Sequence, residues 1–139
     1  MDKKKMVGLL NRALAMEQAS AIRYRTQAAT LTGPQAPVFS AKFRECAAES
    51  DGHAEKLRER ITALGGVPTL DVEETEEPFP TDLGGMIEFD SGVEEKAVGL
   101  YQEILRAIPH DKETLLHETV EHILTDEMEG LEEMTRLRG

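Results

Sequence analysis

The 139-residue chain has no tryptophan, two tyrosines, four phenylalanines and a single cysteine, Cys46. One cysteine excludes an intramolecular disulfide and fits a reducing compartment. With so few aromatics, a core must be built from Leu, Ile, Val, Ala and Met, which suits helices packed against one another. Cations are in deficit, since 16 Lys+Arg against 27 Asp+Glu leave a formal charge of −11. A general nucleic-acid binder needs the opposite balance to meet phosphates, and the short run Lys3 to Lys5 reads as a solvated helix start. Nowhere do roughly 18 apolar residues run together, and the N-terminal lysines lead into no unbroken apolar stretch, so neither a membrane span nor a signal peptide is expected. The expectation is a cytoplasmic protein with one domain over residues 1–139, large enough to bury a core.

Apolar side chains recur at three- and four-residue intervals in four long segments, the period of a helix with one buried face. The first runs from about Lys3 to Leu31, with Leu10, Ala13, Glu17, Ala21, Tyr24, Ala28 and Leu31 in line, and Thr32-Gly33-Pro34 stops it. The second, about Pro37 to Leu64, aligns Phe39, Phe43, Cys46, Ser50, His53, Leu57 and Leu64 ahead of Gly65-Gly66. The third, about Leu83 to Ile108, aligns Ile87, Asp90, Glu94, Ala97, Tyr101 and Ile104. Pro109 breaks it, Asp111 offers an N-cap, and a fourth helix to the C-terminus faces Leu116, Val120, Ile123, Glu127, Leu131 and Met134 inward.

Connection lengths set the topology. Helices one and two, and helices three and four, are joined by a few residues each, which forces two antiparallel hairpins. Between the hairpins lies Gly65 to Asp82, rich in proline and acid, whose Asp71 to Glu77 run reads as a solvated loop. About 18 residues at about 3.3 Å each reach roughly 60 Å, whereas a helix of about 26 residues is only about 39 Å long. The linker can therefore span the molecule, giving an all-α, up-down-down-up four-helix bundle with one long crossover between helices two and three.

Within the four apolar stripes, Glu17, His53, Glu94 and Glu127 fall at matching depth. Burying an ionised carboxylate costs several kcal/mol unless it is paired or bound to metal, so three carboxylates and an imidazole at one level read as a metal site. Glu17 and Tyr24 are seven residues apart on helix one, as are Glu94 and Tyr101 on helix three. This internal repeat implies two hairpins related by a pseudo-twofold axis, with phenols that are either core aromatics or donors to a carboxylate. Cys46 lies seven residues before His53, about 10 Å along the axis, too far to share an ion. His110, His117 and His122 read as surface residues, with His117 able to reach a neighbouring subunit.

Leu10-Asn11 with Glu17 and Ala21-Ile22-x-Tyr24, His53-Ala54 with Leu64-Gly65-Gly66-Val67-Pro68, the series Met86, Asp90 and Glu94, and Asp126-Glu127-Met128-Glu129 together resemble the ferritin-like superfamily, most closely its bacterioferritin branch. The resemblance implies a four-helix bundle holding two irons through one Glu from each of helices one and three and a Glu-x-x-His pair from each of helices two and four. Two of those ligands are replaced here, leaving Ser50-Asp51-Gly52-His53 on helix two and Glu127-Met128-Glu129-Gly130 on helix four.

By that correspondence the first metal position keeps Glu17, His53 and Glu127, while the second keeps Glu94 and a share of Glu127. Mixed N/O ligands suit Fe(II), with Mn(II) or Zn(II) also accommodated. The expected activity is iron binding at a mononuclear or asymmetric site with at most weak ferroxidase turnover; the alternative is a metal-free bundle kept for dimerisation or partner binding. Glu49 and Asp51 flank Ser50 and read as solvated, with recruitment of one of them as the competing possibility. Asp51 stands where a bacterioferritin haem-ligating Met would be, so no haem is expected. The chain stops directly after helix four, without the short fifth helix of bacterioferritin shells, and a homodimer or small homo-oligomer is expected.

Overall fold

The computed structural model describes residues 1–73 and 79–139. They form four helices, α1 (Lys3–Thr30), α2 (Ala36–Ala63), α3 (Leu83–Arg106) and α4 (Thr114–Arg138). Local chemistry explains the ends. The Asp2 carboxylate accepts from the Lys5 amide and caps α1, and Asp82 does the same for Gly85 at the start of α3. Pro37 sits in the first turn of α2, where its missing N–H costs nothing. At the other end Gly65 adopts φ 83°, and Gly66 lies so close to α1 that a Cβ there would fall 2.6 Å from Val7.

One expectation fails at α4. Asp111 does not cap the helix, because the chain first makes a turn in which the Lys112 and Glu113 amides both donate to the Pro109 carbonyl. Helix begins at Thr114, preceded by Glu113, whose side chain makes no capping bond. Two further residues are thus used in rounding the proline.

The crossover is laid along α1 by hydrogen bonds. Asn11 donates to the Val67 carbonyl and accepts from the Thr69 amide, Gln18 donates to the Asp71 carbonyl, and the Glu73 amide donates to the Ala15 carbonyl. The linker therefore climbs from the start of α1 towards its end before α3 turns back. Side-chain contacts pair Tyr101 with Glu17, Glu94 with Tyr24 and Asp90 with Arg23, so α3 runs antiparallel to α1. His53 with Asp126 and Lys42 with Glu133 give the same relation between α2 and α4. The result is the up-down-down-up bundle. Residues 74–77 of the acidic run lie outside the described residues.

Two apolar clusters fill the bundle. Leu10, Leu14, Leu57, Ile61, Ile104, Val120 and Ile123 occupy one end; Ala28, Phe43, Met86, Ile87 and Met134 occupy the other. Each large aliphatic side chain buried there stabilises the fold by about 1.5–3 kcal/mol. Between the clusters lies a polar layer. Every residue of the α1 stripe is buried, Glu17 included.

Candidate metal centre

The polar layer brings three of the four sequence-nominated residues into one group. Glu17 from α1, His53 from α2 and Glu127 from α4 are 4%, 6% and 6% exposed, and each offers a donor atom within 4.8 Å of the other two. His53 Nδ1 lies 3.2 Å from Glu17 Oε2 and 3.3 Å from Glu127 Oε1. Its Nε2 lies 2.9 Å from Asp126 Oδ2, which orients the ring so that Nδ1 faces the carboxylates. Glu94 stands beside Glu127 but outside this group of three.

The two tyrosines act across the bundle. Tyr101 of α3 donates to Glu17 of α1 at 2.6 Å, and Tyr24 of α1 donates to Glu94 of α3 at 2.9 Å. The internal repeat is therefore realised as a crossed pair, each phenol serving the carboxylate of the other hairpin. Beyond it, a buried ion pair joins Arg23 to Asp90 at 2.9 Å, and Gln27 donates to the same carboxylate oxygen at 2.8 Å.

Electrostatics show how the layer is balanced by protons. Burial works against the His53 imidazolium, yet its hydrogen bonds to Glu127 and Glu17 and the Glu17 charge outweigh that and push its pKa up to about 11. Burial, with the adjacent Glu127 carboxylate, raises Glu94 to about 9 despite the bond from Tyr24. Glu127 is raised as well, by burial and by Glu17. Asp90, raised by burial to about 6, is held down from a higher value by Arg23 and Gln27. In the absence of a cation, the site thus holds an imidazolium and a neutral Glu94 at neutral pH.

Around Ser50 and Gly130 the layer leaves room on one side. Ser50 is buried and Gly130 faces Glu94, where an added Cβ would meet the carboxylate carbon at an ordinary 3.7 Å. A recess of about 160 Å³ reaches this point, lined by Ser50, Glu94, Glu127 and Gly130 with Cys46 and Glu49. Among the described residues Glu94 Oε2 is buried without a hydrogen-bond partner. Cys46 is half-buried there, its thiol pushed up to about 12 chiefly by burial. Glu49 is exposed at the rim, and Asp51 points outward to pair with Arg25.

Sequence reasoning missed Asp126. Its side chain lies about 100° from Glu127 around α4, off the buried stripe, and only the approach of α2 brings His53 within its reach. The nearest available signal was its adjacency to Glu127. His117 also departs from the surface reading, being half-buried against the ring of His110.

An antiparallel pair of hairpins with carboxylates and an imidazole at mid-bundle is the kind of four-helix scaffold on which carboxylate metal sites are built. The family model for the ferritin-like domain matches residues 7–139, and the chain belongs to that family, in its bacterioferritin-like branch. The bacterioferritin of Desulfovibrio desulfuricans is 27% identical over 132 residues, covering 93% of this chain and 72% of its own length. A crystal structure of that bacterioferritin, described by its diiron site, superposes with TM-score 0.88 at 25% identity over 98% of this chain and 79% of that chain.

A structure of ferritin-like, diiron-carboxylate proteins from Bacillus anthracis superposes with TM-score 0.93 at 29% identity, over 100% of this chain and 99% of that one. A dodecameric thioferritin, the bacterioferritin-related protein of Bacteroides fragilis, gives TM-score 0.89 at 26% identity over 98% and 85%. Among the described residues no helix is long and apolar enough to cross a membrane.

Proposed function

We propose that the chain is a bacterioferritin-like iron-binding protein with an asymmetric site, in which Glu17, His53 and Glu127 hold one metal ion and Glu94 is what remains of a second position. The observation that carries this reading is the convergence of three buried donors within 4.8 Å. Without a cation the same layer must retain protons, on His53 up to about pH 11 and on Glu94 up to about pH 9. A divalent ion compensates the carboxylates more directly, so the donor set fits the metal that the family implies.

This chain's own residues then have defined roles. Asp126 holds Nε2 and leaves Nδ1 to the ion; Tyr101 fixes Glu17, and Tyr24 fixes Glu94. The apolar clusters above and below exclude bulk water from the layer. Fe(II) held by these residues would supply one electron, not a pair, to O2. With Ser50 and Gly130 lacking donors suited to a second iron, paired two-electron oxidation is disfavoured and ferroxidase turnover is slow. Mn(II) or Zn(II) fits the same donors. No residue is assigned to haem. The assembly is a homo-oligomer, in line with the dodecameric relative, and a homodimer or other small assembly is the form we favour.

Anaerobic titration of the apo-protein tests this reading. One tight Fe(II) equivalent at this site and a raised melting temperature are expected, because an ion that binds only the folded state stabilises it. Two tight equivalents with a fast optical transient on adding O2 would overturn the asymmetric site. A second reading, a metal-free bundle used for partner binding, is favoured by the hydrogen bonds already made by Glu17 and His53. A melting temperature indifferent to Fe(II), Mn(II) and Zn(II) would select it.

A further inference from the structure

The turn between α3 and α4 carries a second pair of metal-competent side chains that the mid-bundle layer does not use. His110 and His117 have ring centroids 4.3 Å apart at an interplanar angle of 76°. His110 is exposed and His117 half-buried. Among the described residues, His117 Nδ1 is inaccessible to solvent and has no hydrogen-bond partner. An imidazole nitrogen carries either a proton or a lone pair, and leaving either unmet in a buried position is destabilising. The lone pair of a neutral imidazole is the commonest protein ligand for a transition metal.

Both rings are carried on a well-tied segment. The Glu113 amide donates to the Pro109 carbonyl at 2.9 Å, the His117 amide to the Glu113 carbonyl at 2.9 Å, and the Thr114 hydroxyl to the His110 carbonyl at 3.3 Å. A short, proline-led turn therefore holds the imidazoles in proximity before any ion arrives, which reduces the ordering cost of chelation. Glu113 and Glu121 lie four residues to either side of His117, and Asp111 is in the same turn of chain beside Lys112. Ten residues of α4 separate His117 from Glu127, about 15 Å along the helix, and the two places cannot share an ion.

We propose that His110 and His117 form a second metal site, a two-imidazole chelate at the end of the bundle that takes a late first-row divalent ion, Cu(II) foremost, with solvent completing its coordination from the exposed His110 side. Two nitrogen donors with few fixed oxygens favour such an ion over Fe(II) or Mn(II) by softness and by the ordinary order of divalent affinities. The site is chemically distinct from the mid-bundle group, which offers one imidazole and two carboxylates.

That difference is visible by electron paramagnetic resonance of Cu(II) added to the tag-free, metal-free chain. One equivalent with superhyperfine splitting from two nitrogens is expected. His110→Gln changes an exposed residue, so the fold should be retained, as circular dichroism will report; the two-nitrogen signal and one Cu(II) equivalent should vanish. Copper held by His53 alone shows splitting from one nitrogen and should be unaffected. His117→Gln should give the same loss. The proposal fails if His110→Gln leaves both stoichiometry and spectrum unchanged, or if wild type shows no two-nitrogen species. Either result would make the contact a ring-edge interaction only.

Discussion

Proton release should accompany metal uptake at the mid-bundle layer, and raising the pH is the perturbation that exposes it. In the metal-free protein His53 holds a proton with a pKa of about 11, between Glu17 and Glu127. An ion can take Nδ1 only after a proton leaves the ring. At pH 7 that removal costs about 1.4 kcal/mol per unit over 11 − 7 units, or about 5 kcal/mol. The apparent affinity for Mn(II) should therefore tighten about tenfold for each pH unit between about 6 and 8. Mn(II) is the appropriate probe because, as a harder ion, it favours this carboxylate-rich group over the two-histidine site. Calorimetry at pH 7 in buffers of different ionisation enthalpy should count about one proton released per ion. An affinity that stays flat from pH 6 to 8, with no buffer-dependent heat, would refute the reasoning.

The metal-free fold should itself lose stability as pH rises. His53 is raised above its unfolded value of 6.5 and contributes stability that is complete below 6.5 and lost on approach to about 11. Glu94 is raised from 4.5 to about 9, so its ionisation in the folded core also becomes costly over that span. Urea melts in a chelator should show the unfolding free energy falling between pH 6 and 9, and a rising trend would contradict both shifts. Replacing Arg23 by Met leaves Asp90, which is 0% exposed, without its cation, and should destabilise the protein by about 3–5 kcal/mol in the same assay. Ser50→Glu with Gly130→His should add a second Mn(II) equivalent, since the Gly130 Cβ direction leads to Glu94 at 3.7 Å without a clash; unchanged stoichiometry in a folded double mutant would count against the assigned correspondence.

Periodicity made most of the fold legible. The α1 series from Leu10 to Leu31 is buried at every position because a helix with one apolar face has only one way to hide it. Short turns and one long linker then allowed the up-down-down-up arrangement, which the Asn11, Gln18 and Ala15 contacts with the crossover realise. Local chemistry was less reliable where the chain bends: Asp111 had the right side chain for a cap, but the bonds to the Pro109 carbonyl moved the helix start to Thr114.

By itself the sequence determined which residues share a buried face and that acids and an imidazole lie among them. Only the tertiary structure decided which of them meet. Glu17, His53 and Glu127 converge while Glu94, beside Glu127 and bonded by Tyr24, falls outside their group of three, and the phenols cross between hairpins. Asp126 joins His53 from off the stripe, and His117 closes on His110 around a proline. The physical reason is that helical period specifies direction from an axis, whereas a contact of a few ångströms depends on the depth, rotation and spacing of two axes, which the packing of the apolar clusters sets.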